Sequence, residues 1–426
     1  KKGPDYIDAA WLAAATGHPC RNLDPFLMGE AAMGRAVSAD PHADLLLVEG
    51  NRGLFDGVDA AGSHSTATLA KLLGAPVILV VNTTKVTRTA AAAVLGSIHL
   101  DPELDLSGVI LNRVATGRQE RVVREAIEDA TGLPVLGAIP RLKGDDPLPD
   151  RHLGLVPAVE HPQRDEAIER AARAVAEHVD LDQVLAIAEG ANEVSLEVAE
   201  PHLGRTRVTI GYFSDQAFSF YYPENLEALE SAGARLVAVS PSGDDALPEM
   251  DGLYIGGGFP EVHAARLADN REFARSVRRR VEQGMPVYAE CGGLMYLARE
   301  LDVDDATYPM SGVLDLVVRQ TDRPQGHGYE TAVIDRENSF FAVGTELVGH
   351  EFHYSKITGG DARGASVAEV TRGKGTGDGR DGIVVDRVWA SYLHIHASAT
   401  PDWATGFLAN ASAHAAETTQ PAAAWG

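Results

Sequence analysis

The sequence is poor in cysteine, lacks long apolar runs and has more acidic than basic residues. Two cysteines, Cys20 and Cys291, lie far apart in 426 residues, which excludes a disulfide framework and a closely spaced metal site. No stretch approaches the roughly 18 apolar residues of a membrane-spanning helix, and no signal peptide is visible at Lys1. A formal charge of −24 argues against nucleic acid or an anionic membrane as a partner. We therefore expect a cytoplasmic protein.

Strand and helix signals alternate through the first half of the chain. A polar amphipathic helix is predicted at about 164–178. Apolar strands separated by helices are typical of a parallel sheet covered on both faces, so this half has the pattern of an α/β domain. The apolar runs that predict buried strands lie at 44–50, 75–82, 107–114 and 133–140.

The same alternation begins again near residue 207 and becomes β-rich after about Tyr308. A last amphipathic helix is predicted near 402–415. The stretch between the two halves has no hydrophobic period and is typical of a linker. A chain of this length usually forms two or three domains. The sequence therefore predicts α/β domains at 1–189 and 207–426, joined by a linker at 190–206.

Cys291 lies in the segment PVYAECGGLMYLA, between a predicted strand and a predicted helix. Most lone cysteines are small buried core residues. On a tight strand-to-helix turn, however, a cysteine can be a nucleophile, because glycines allow the strained turn and the helix N-terminus lowers the thiol pKa. The backbone N–H groups of Gly292 and Gly293 can face a developing oxyanion.

A second glycine turn and two late histidines add to this pattern. Gly257 and Gly258 follow the preceding predicted strand. Because the carboxyl ends of parallel strands lie at one edge of a sheet, their amides can complete an oxyanion hole with Gly292. His394 and His396 are the candidate bases. We expect their side chains to point in opposite directions, so that only one of them can serve the thiol in acyl transfer.

Four segments of the second half resemble the glutamine amidotransferase domain of the cobyrinic acid a,c-diamide synthase family. They are YIGGGFPE, YAECGGLMYL, GHEFHYS and ASYLHIH. The resemblance implies that Cys291 attacks the side-chain amide of glutamine. It also implies that His394, which follows a Tyr-x pair, activates the thiol. The broader amidotransferase class carries a Glu two residues after this histidine, but His396 stands there, which leaves a Cys–His dyad as an alternative to a triad.

Acidic residues in the first half suggest a site at which a carboxylate of the substrate is activated. Amidation requires an activated carboxylate, most simply through phosphorylation by ATP, and the phosphoryl charge must be offset by Mg²⁺ and basic groups. Glu49 ends the apolar run at 44–50, where an acid can hold Mg²⁺. Other candidates for the ATP, Mg²⁺ and substrate site are Asp5, Tyr6, Asp8 and Asp56.

The first half resembles the same family in KKGPDYID, ATGHPCRNLD and VEGNRGLFDG. The nucleotide domain of that family is similar to dethiobiotin synthetase and the MinD-type ATPases. The resemblance implies ATP as a co-substrate, Mg²⁺ near Glu49 and Asp5, and an Asn112 that reads the adenine edge. No G-x-x-x-x-G-K-[ST] phosphate loop occurs in the chain, so we expect the segment that carries it to precede Lys1.

The resemblance thus implies a MinD- and dethiobiotin-synthetase-like parallel-sheet domain followed by a class I glutamine amidotransferase-like α/β domain. The implied activity is ATP-dependent, glutamine-hydrolysing amidation of the a- and c-acetate groups of cobyrinic or hydrogenobyrinic acid in cobalamin biosynthesis. The same chemistry on sirohaem or nickel-sirohydrochlorin is an alternative. Alternatives of another class are a non-catalytic MinD-like binding protein and a stand-alone glutaminase. Glutamine and a tetrapyrrole are the expected ligands, and a homodimer stays open.

Overall fold

The structure, a computed structural model, describes residues 1–40, 42–142, 148–151, 154–192, 194 and 208–419. Most of the predicted linker, 190–206, lies outside these residues, so its boundaries stay a prediction. In the part of the chain described, no helix is both long and apolar enough to cross a membrane. Two compact units divide the chain: Lys1–Phe26 with Glu30–Ala199, and Leu27–Gly29 with Glu200–Gly426.

A parallel sheet of three strands, in the order β1–β2–β3, forms the centre of the first unit. The helices of this unit are α1 (Ile7–Thr16), α2 (Glu30–Val37), α3 (Thr66–Leu73), α4 (Thr89–Leu100), α5 (Gly117–Thr131), α6 (Arg164–His178) and α7 (Leu181–Glu189). The strands are β1 (Val77–Asn82), β2 (Leu106–Val114), β3 (Val135–Pro140), β4 (Asp150–Arg151) and β5 (Gly154–Leu155).

Local signals explain why these helices begin and end where they do. Ser65 accepts a hydrogen bond from the first turn of α3, and Gly74 ends that helix with a positive φ, as N-caps and C-caps do. Val109 of β2 packs with α4 and α5 in a core whose members Val94 and Ile127 are fully buried. The predicted parallel α/β arrangement is confirmed for these strands.

The predicted strand at 44–50 is not formed. The structure assigns no strand there and leaves Leu45, Leu46 and Leu47 exposed to 50%, 50% and 80%. The Lys2 N–H donates to the Glu49 carbonyl over 2.8 Å, but the described residues supply no strand that pairs with this segment. An apolar run indicates a candidate for burial, whereas a strand also needs a neighbouring backbone with which to pair.

The second unit is larger and richer in strands. Its helices are α8 (Pro223–Ser231), α9 (Ala264–Asp269), α10 (Arg271–Glu282), α11 (Gly292–Leu297) and α12 (Trp403–Thr419), with a 3₁₀ helix at Asp361–Ala365. Its strands are β6 (Val208–Phe213), β7 (Phe218–Phe220), β8 (Ala234–Val239), β9 (Gly252–Ile255), β10 (Gly257–Gly258), β11 (Val287–Glu290), β12 (Glu300–Val303), β13 (Ala306–Pro309), β14 (Val317–Gln320), β15 (Gly326–Ile334), β16 (Glu346–His353), β17 (Ser355–Gly359), β18 (Ser366–Arg372), β19 (Arg380–Val385), β20 (Val388–Ser391) and β21 (His394–Ile395).

Ten of these strands form one mixed sheet in the order β8–β6–β9–β11–β20–β19–β18–β15–β16–β21. Neighbours from β8 to β20 are parallel, and the remaining pairs are antiparallel. A second sheet has the order β13–β12–β14–β17. The predicted α/β pattern, followed by a β-rich region, is therefore present in this unit.

Alternate residues of β11 face two different cores. Val287 and Ala289 belong to the cluster that includes Phe273 of α10, whereas Tyr288 packs with Trp389 and Trp403 in a second cluster. This alternation follows from the two-residue period of a strand. Because β9, β11 and β20 are parallel, their carboxyl ends lie together at one edge of the sheet. Ligand sites of parallel sheets form at this edge.

Candidate functional site

Cys291 lies where β11 ends and α11 begins. Its backbone has φ 46° and ψ −97°, a region that residues with a side chain rarely adopt, so the turn is strained. The Cys291 N–H donates to the carbonyl of Ser391, at the end of β20, over 2.7 Å. The strand-to-helix turn expected for an exposed nucleophile is therefore formed, although only 7% of Cys291 is exposed.

The predicted glycine turns pack tightly against one another and against His394. A Cβ added to Gly257 would lie 2.5 Å from Cε1 and 3.3 Å from Nε2 of His394. A Cβ added to Gly292 would lie 3.1 Å from the backbone nitrogen of Gly258. A side chain at either position would displace these neighbours, so glycine is required for the close approach. The structure thus brings together all three glycines proposed for the oxyanion hole.

His394 is almost fully buried beside a carboxylate. Its Nδ1 lies 3.7 Å from Oε2 of Glu290, and its ring stacks on His350 with centroids 4.9 Å apart and planes inclined by 16°. His350 belongs to the GHEFHYS segment and pairs with His394 between β16 and β21. Burial, then the neighbouring His394, holds the pKa of His350 well below its usual value, so His350 is neutral at physiological pH.

His396 has different neighbours. Its Nε2 lies 3.6 Å from Oε2 of Glu224, its Nδ1 accepts the Ser398 N–H over 3.2 Å, and its ring centroid is 4.7 Å from that of Tyr222. The two candidate bases therefore have separate carboxylate partners. The expected strand alternation is not the reason, because residues two positions apart share a face of a strand. Instead, β21 ends at Ile395, so His396 lies beyond the strand. Of the two, His394 is the histidine in contact with the glycine turn.

Glu290 is a residue that the sequence interpretation missed. It directly precedes Cys291 and is fully buried. The Tyr254 hydroxyl donates to its Oε2 over 3.0 Å, and the Ile395 N–H donates to its Oε1 over 3.2 Å. One signal was available in the sequence: an acidic residue at the end of a buried apolar strand is costly unless it has partners.

The prediction that the helix N-terminus lowers the pKa of Cys291 is wrong for the unliganded site. Burial, followed by the charge of Glu261, raises the pKa of the Cys291 thiol far above its usual value, and the hydrogen bond from Gly292 offsets only part of this effect. Helix α11 has six residues, and removal of the thiol from water outweighs its small dipole. The thiol therefore needs a base to ionise.

Three buried carboxyl groups support the segment that carries His394. Asp381 accepts hydrogen bonds from the Ser391 hydroxyl over 2.9 Å and the Leu393 N–H over 3.2 Å. Glu351, of GHEFHYS, accepts the N–H of Gly375, in the loop between β18 and β19, over 3.0 Å. Glu330 interacts with both acids. Burial, then the charges of Asp381 and Glu351, raises the pKa of Glu330 well above its usual value.

The pKa of Glu330 leads to a pH-dependent stability. Because the folded protein holds the Glu330 proton more tightly than the unfolded chain, the free energy of unfolding falls as pH rises above about 4.3, the usual pKa of a glutamate. Replacement with glutamine, which is neutral at every pH, removes this term. We expect the melting temperature of Glu330→Gln, measured relative to that of wild type, to increase by at least about 2–4 °C from pH 5 to pH 9. This increase is equivalent to ~1 kcal/mol.

Thermal melts of both proteins across this pH range measure the effect. Glu346→Gln is the matched control, because Glu346 is an exposed glutamate at the start of β16. Its melting curve should stay parallel to that of wild type. If the melting temperatures of Glu330→Gln and wild type instead changed with pH in parallel, Glu330 would be ionised in the folded protein.

In the first unit, Lys1 joins the predicted acids. Its Nζ lies 2.7 Å from Oδ2 of Asp8 and 3.0 Å from Oε2 of Glu49, and its side chain is 3% exposed. Burial lowers the pKa of Lys1, but the hydrogen bonds and charges of the two acids more than offset this effect and raise it. Asp5 accepts the Asp8 N–H over 2.7 Å. Burial, then the Asp8 charge, raises the pKa of Asp5.

These acids suit a Mg²⁺ ion that is completed by phosphate oxygens. Within the described residues, no three or more side chains are pre-arranged as a metal cage. Mg²⁺ bound with a nucleotide, however, commonly uses one or two carboxylates together with phosphates and water. Asp5 and Glu49 can supply these carboxylates, since their charges act on each other and a divalent cation would neutralise both. The residues therefore fit the predicted ion, although Glu49 follows an irregular segment instead of a strand.

The remaining candidates of the first unit occupy separate positions. Tyr6 is buried at the start of α1. Asp56 is exposed and accepts the N–H of Gly53 over 3.0 Å, which closes its own turn. Asn112 lies near the carboxyl end of β2, opposite Asn82, and its side-chain oxygen accepts the N–H of the following residue over 2.8 Å. Their roles toward ATP stay predictions.

Relatives match this chain over nearly its whole length. Residues 209–401 match the family described as CobB/CobQ-like glutamine amidotransferase domain, and residues 27–147 match an AAA domain. These matches confirm the predicted order of a nucleotide-binding domain and an amidotransferase domain.

Two relatives that match the chain are both named cobyrinate a,c-diamide synthase. The protein of Magnetococcus marinus is 44% identical over 417 residues, 96% of this chain and 89% of that relative. The protein of Methanothermobacter thermautotrophicus is 41% identical over 418 residues, 96% of this chain and 92% of that relative. The chain belongs to the cobyrinate a,c-diamide synthase family.

Proposed function

We propose that this chain catalyses the ATP-dependent, glutamine-hydrolysing amidation of the a- and c-acetate carboxylates of cobyrinic or hydrogenobyrinic acid. The observation that supports this function most strongly is the strained turn at Cys291, which is packed against the glycines that contact His394. The names of the relatives favour cobyrinic acid over sirohaem or nickel-sirohydrochlorin as the acceptor. The presence of the full cysteine site disfavours a non-catalytic binding protein.

The first half-reaction releases ammonia from glutamine. His394 Nε2 takes the proton of the Cys291 thiol, and the thiolate attacks the carboxamide carbon to form a C–S bond. The amides at Gly258 and Gly292 stabilise the oxyanion of the tetrahedral intermediate. The imidazolium of His394 returns the proton to the leaving nitrogen, so that ammonia departs and a thioester remains. Water, deprotonated by His394, then cleaves the thioester to glutamate and restores the thiol.

The second half-reaction joins ammonia to the acceptor. A carboxylate is a poor electrophile, and transfer of the γ-phosphoryl group of ATP converts it into an acyl phosphate that ammonia attacks, with loss of phosphate. Bound Mg²⁺ supplies neutralisation of phosphate charge. In this chain Glu49 and Asp5 would hold the ion, and Lys1, fixed between Asp8 and Glu49, places a positive charge beside them.

Glu49→Gln tests the second half-reaction. We expect this change to lower the amidation of cobyrinic acid by at least ~10²-fold, because it removes a carboxylate that would hold the ion which offsets the charge of the transferring phosphoryl group. Glutamine hydrolysis should stay within about twofold of wild type. Amide formation is measured by mass spectrometry of the corrin, and glutamate release by a coupled assay.

Two controls sharpen this test. Glu103→Gln changes an exposed glutamate of the same unit, which pairs with Lys71 at the surface, and should leave both activities unchanged. Sirohaem and nickel-sirohydrochlorin, offered as acceptors under the same conditions, should gain little or no amide. Undiminished amidation by Glu49→Gln would refute the assignment of Glu49, and a preference for either other tetrapyrrole would refute the proposed acceptor.

A further inference from the structure

We infer that Glu290 is the positioning carboxylate of the cysteine site, so that Cys291, His394 and Glu290 act as a triad whose acid precedes the nucleophile in the chain. This inference rests on the proposed glutamine hydrolysis. The position two residues after the base, where the broader amidotransferase class carries its acid, is occupied by His396. Glu290 lies instead at the end of β11 and reaches His394 across the edge of the sheet.

The contacts of Glu290 fix its carboxylate toward His394. Both oxygens are held, Oε2 by the Tyr254 hydroxyl over 3.0 Å and Oε1 by the Ile395 N–H over 3.2 Å. Because Ile395 follows His394 in β21, the second bond ties the acid to the strand that carries the base. Asn225 supports this arrangement, since its side-chain NH₂ donates to the Tyr254 hydroxyl over 3.2 Å and to the Ile395 carbonyl over 3.0 Å.

The two edges of the His394 ring face different groups. Nδ1 lies 3.7 Å from Oε2 of Glu290, whereas Cε1 and Nε2 border Gly257 of the glycine turn, against which Gly292 packs. A carboxylate at Nδ1 favours the tautomer with a proton on that nitrogen, and this leaves Nε2 as the acceptor for the thiol proton. Unliganded sites often hold such pairs loosely and tighten when the substrate binds.

The charge of Glu290 answers an electrostatic need of this site. Burial disfavours the Cys291 thiolate, so proton transfer to His394 requires a group that stabilises the imidazolium. His350, which stacks on the face of the His394 ring, is neutral and cannot stabilise the imidazolium. Other titratable groups that interact with these residues are Tyr221, Tyr254, Tyr288, Glu261, Asp381, Tyr392 and His396.

A set of three variants tests this role. Glu290→Gln keeps the size of the side chain and removes its charge, and we expect the kcat/KM of glutamine hydrolysis to fall by ~10²–10⁴-fold, as in other triads that lose their acid. Glu290→Asp should recover part of the loss. Glu224→Gln is the matched control, because it removes a carboxylate 3.6 Å from the other candidate base, His396, and it should leave hydrolysis within about twofold of wild type.

A second readout separates positioning from a structural role. The pH dependence of Cys291 alkylation by iodoacetamide, followed by mass spectrometry of the Cys291 peptide, reports the fraction of thiolate. Without the Glu290 charge, the thiolate–imidazolium pair is less stable, so the midpoint should move up by at least about one pH unit. A structural effect alone would lower the melting temperature and the rate without moving this midpoint.

Tyr254→Phe keeps the inference testable if Glu290→Gln folds poorly. It removes the hydroxyl that donates to Oε2 and should lower kcat/KM by about tenfold, with a shift of the alkylation midpoint in the same direction. Wild-type hydrolysis and an unmoved midpoint in Glu290→Gln would overturn the inference and leave a Cys–His dyad. Hydrolysis that survives loss of Cys291 would instead overturn the proposed function, so the two failures are distinguishable.

Discussion

Cys291→Ala is expected to abolish glutamine hydrolysis while the protein remains folded. The thiol supplies the electron pair that forms the thioester, and no other group in this mechanism can replace it. Loss of a nucleophile in such a site lowers kcat by up to ~10⁶-fold. Alanine differs from cysteine only by the sulphur atom, so the strained turn and its hydrogen bond to Ser391 should persist.

Ammonia release in a coupled assay measures this effect, and the melting temperature reports the fold. Cys20→Ser is the control, because Cys20 is the second free cysteine and lies in the other unit. Ammonium at high concentration should restore amidation by Cys291→Ala, because the half-reactions are separable. An alanine variant that retains most of its glutaminase rate would show that another residue is the nucleophile.

His394→Asn should lower glutamine hydrolysis by ~10³-fold or more, whereas His396→Asn should lower it less than tenfold. The reason is geometric: the His394 ring borders the glycine turn beside Cys291, whereas His396 packs against Tyr222 and Glu224. Without a base, the buried thiol must ionise on its own, and burial opposes this. Steady-state rates of glutamate release give the comparison.

The melting temperatures of the two variants serve as the internal control. Both histidines are almost fully buried, so both substitutions should destabilise the fold to a similar degree, and a difference in activity cannot then come from unfolding. Equal activity losses would mean that both histidines belong to the site. A greater loss in His396→Asn would reverse the assignment of the base.

Elements with local signals were predictable from the sequence. Helix α6 was expected at about 164–178 and spans Arg164–His178, because an amphipathic period reports directly which face is buried. The turn at Cys291 was predictable for the same kind of reason, since glycines after a strand indicate a special backbone. The segment 44–50 was not predictable, because apolarity does not report whether a partner strand is available.

The chemistry of the site was predictable only in part. Cys291 and the glycines proposed for the oxyanion hole follow from motifs, but Glu290 acquires its neighbours through pairing of β11 with β20, where Glu290 lies opposite Ser391. That register brings the acid near a histidine 104 residues later, and no local pattern encodes such a pairing. The direction of the pKa shift at Cys291 was missed for a related reason, because the extent of burial depends on packing of the whole unit.

The strained turn at Cys291 sets stability against activity at a single position. A residue with a side chain at φ 46° and ψ −97° costs about 1–3 kcal/mol, a considerable part of the net stability of a domain. Glycine adopts such angles at much lower cost. In a lineage that no longer needs to hydrolyse glutamine, selection for stability alone would therefore favour glycine at position 291. The residue found there in any descendant of this protein thus records whether selection still acts on its chemistry.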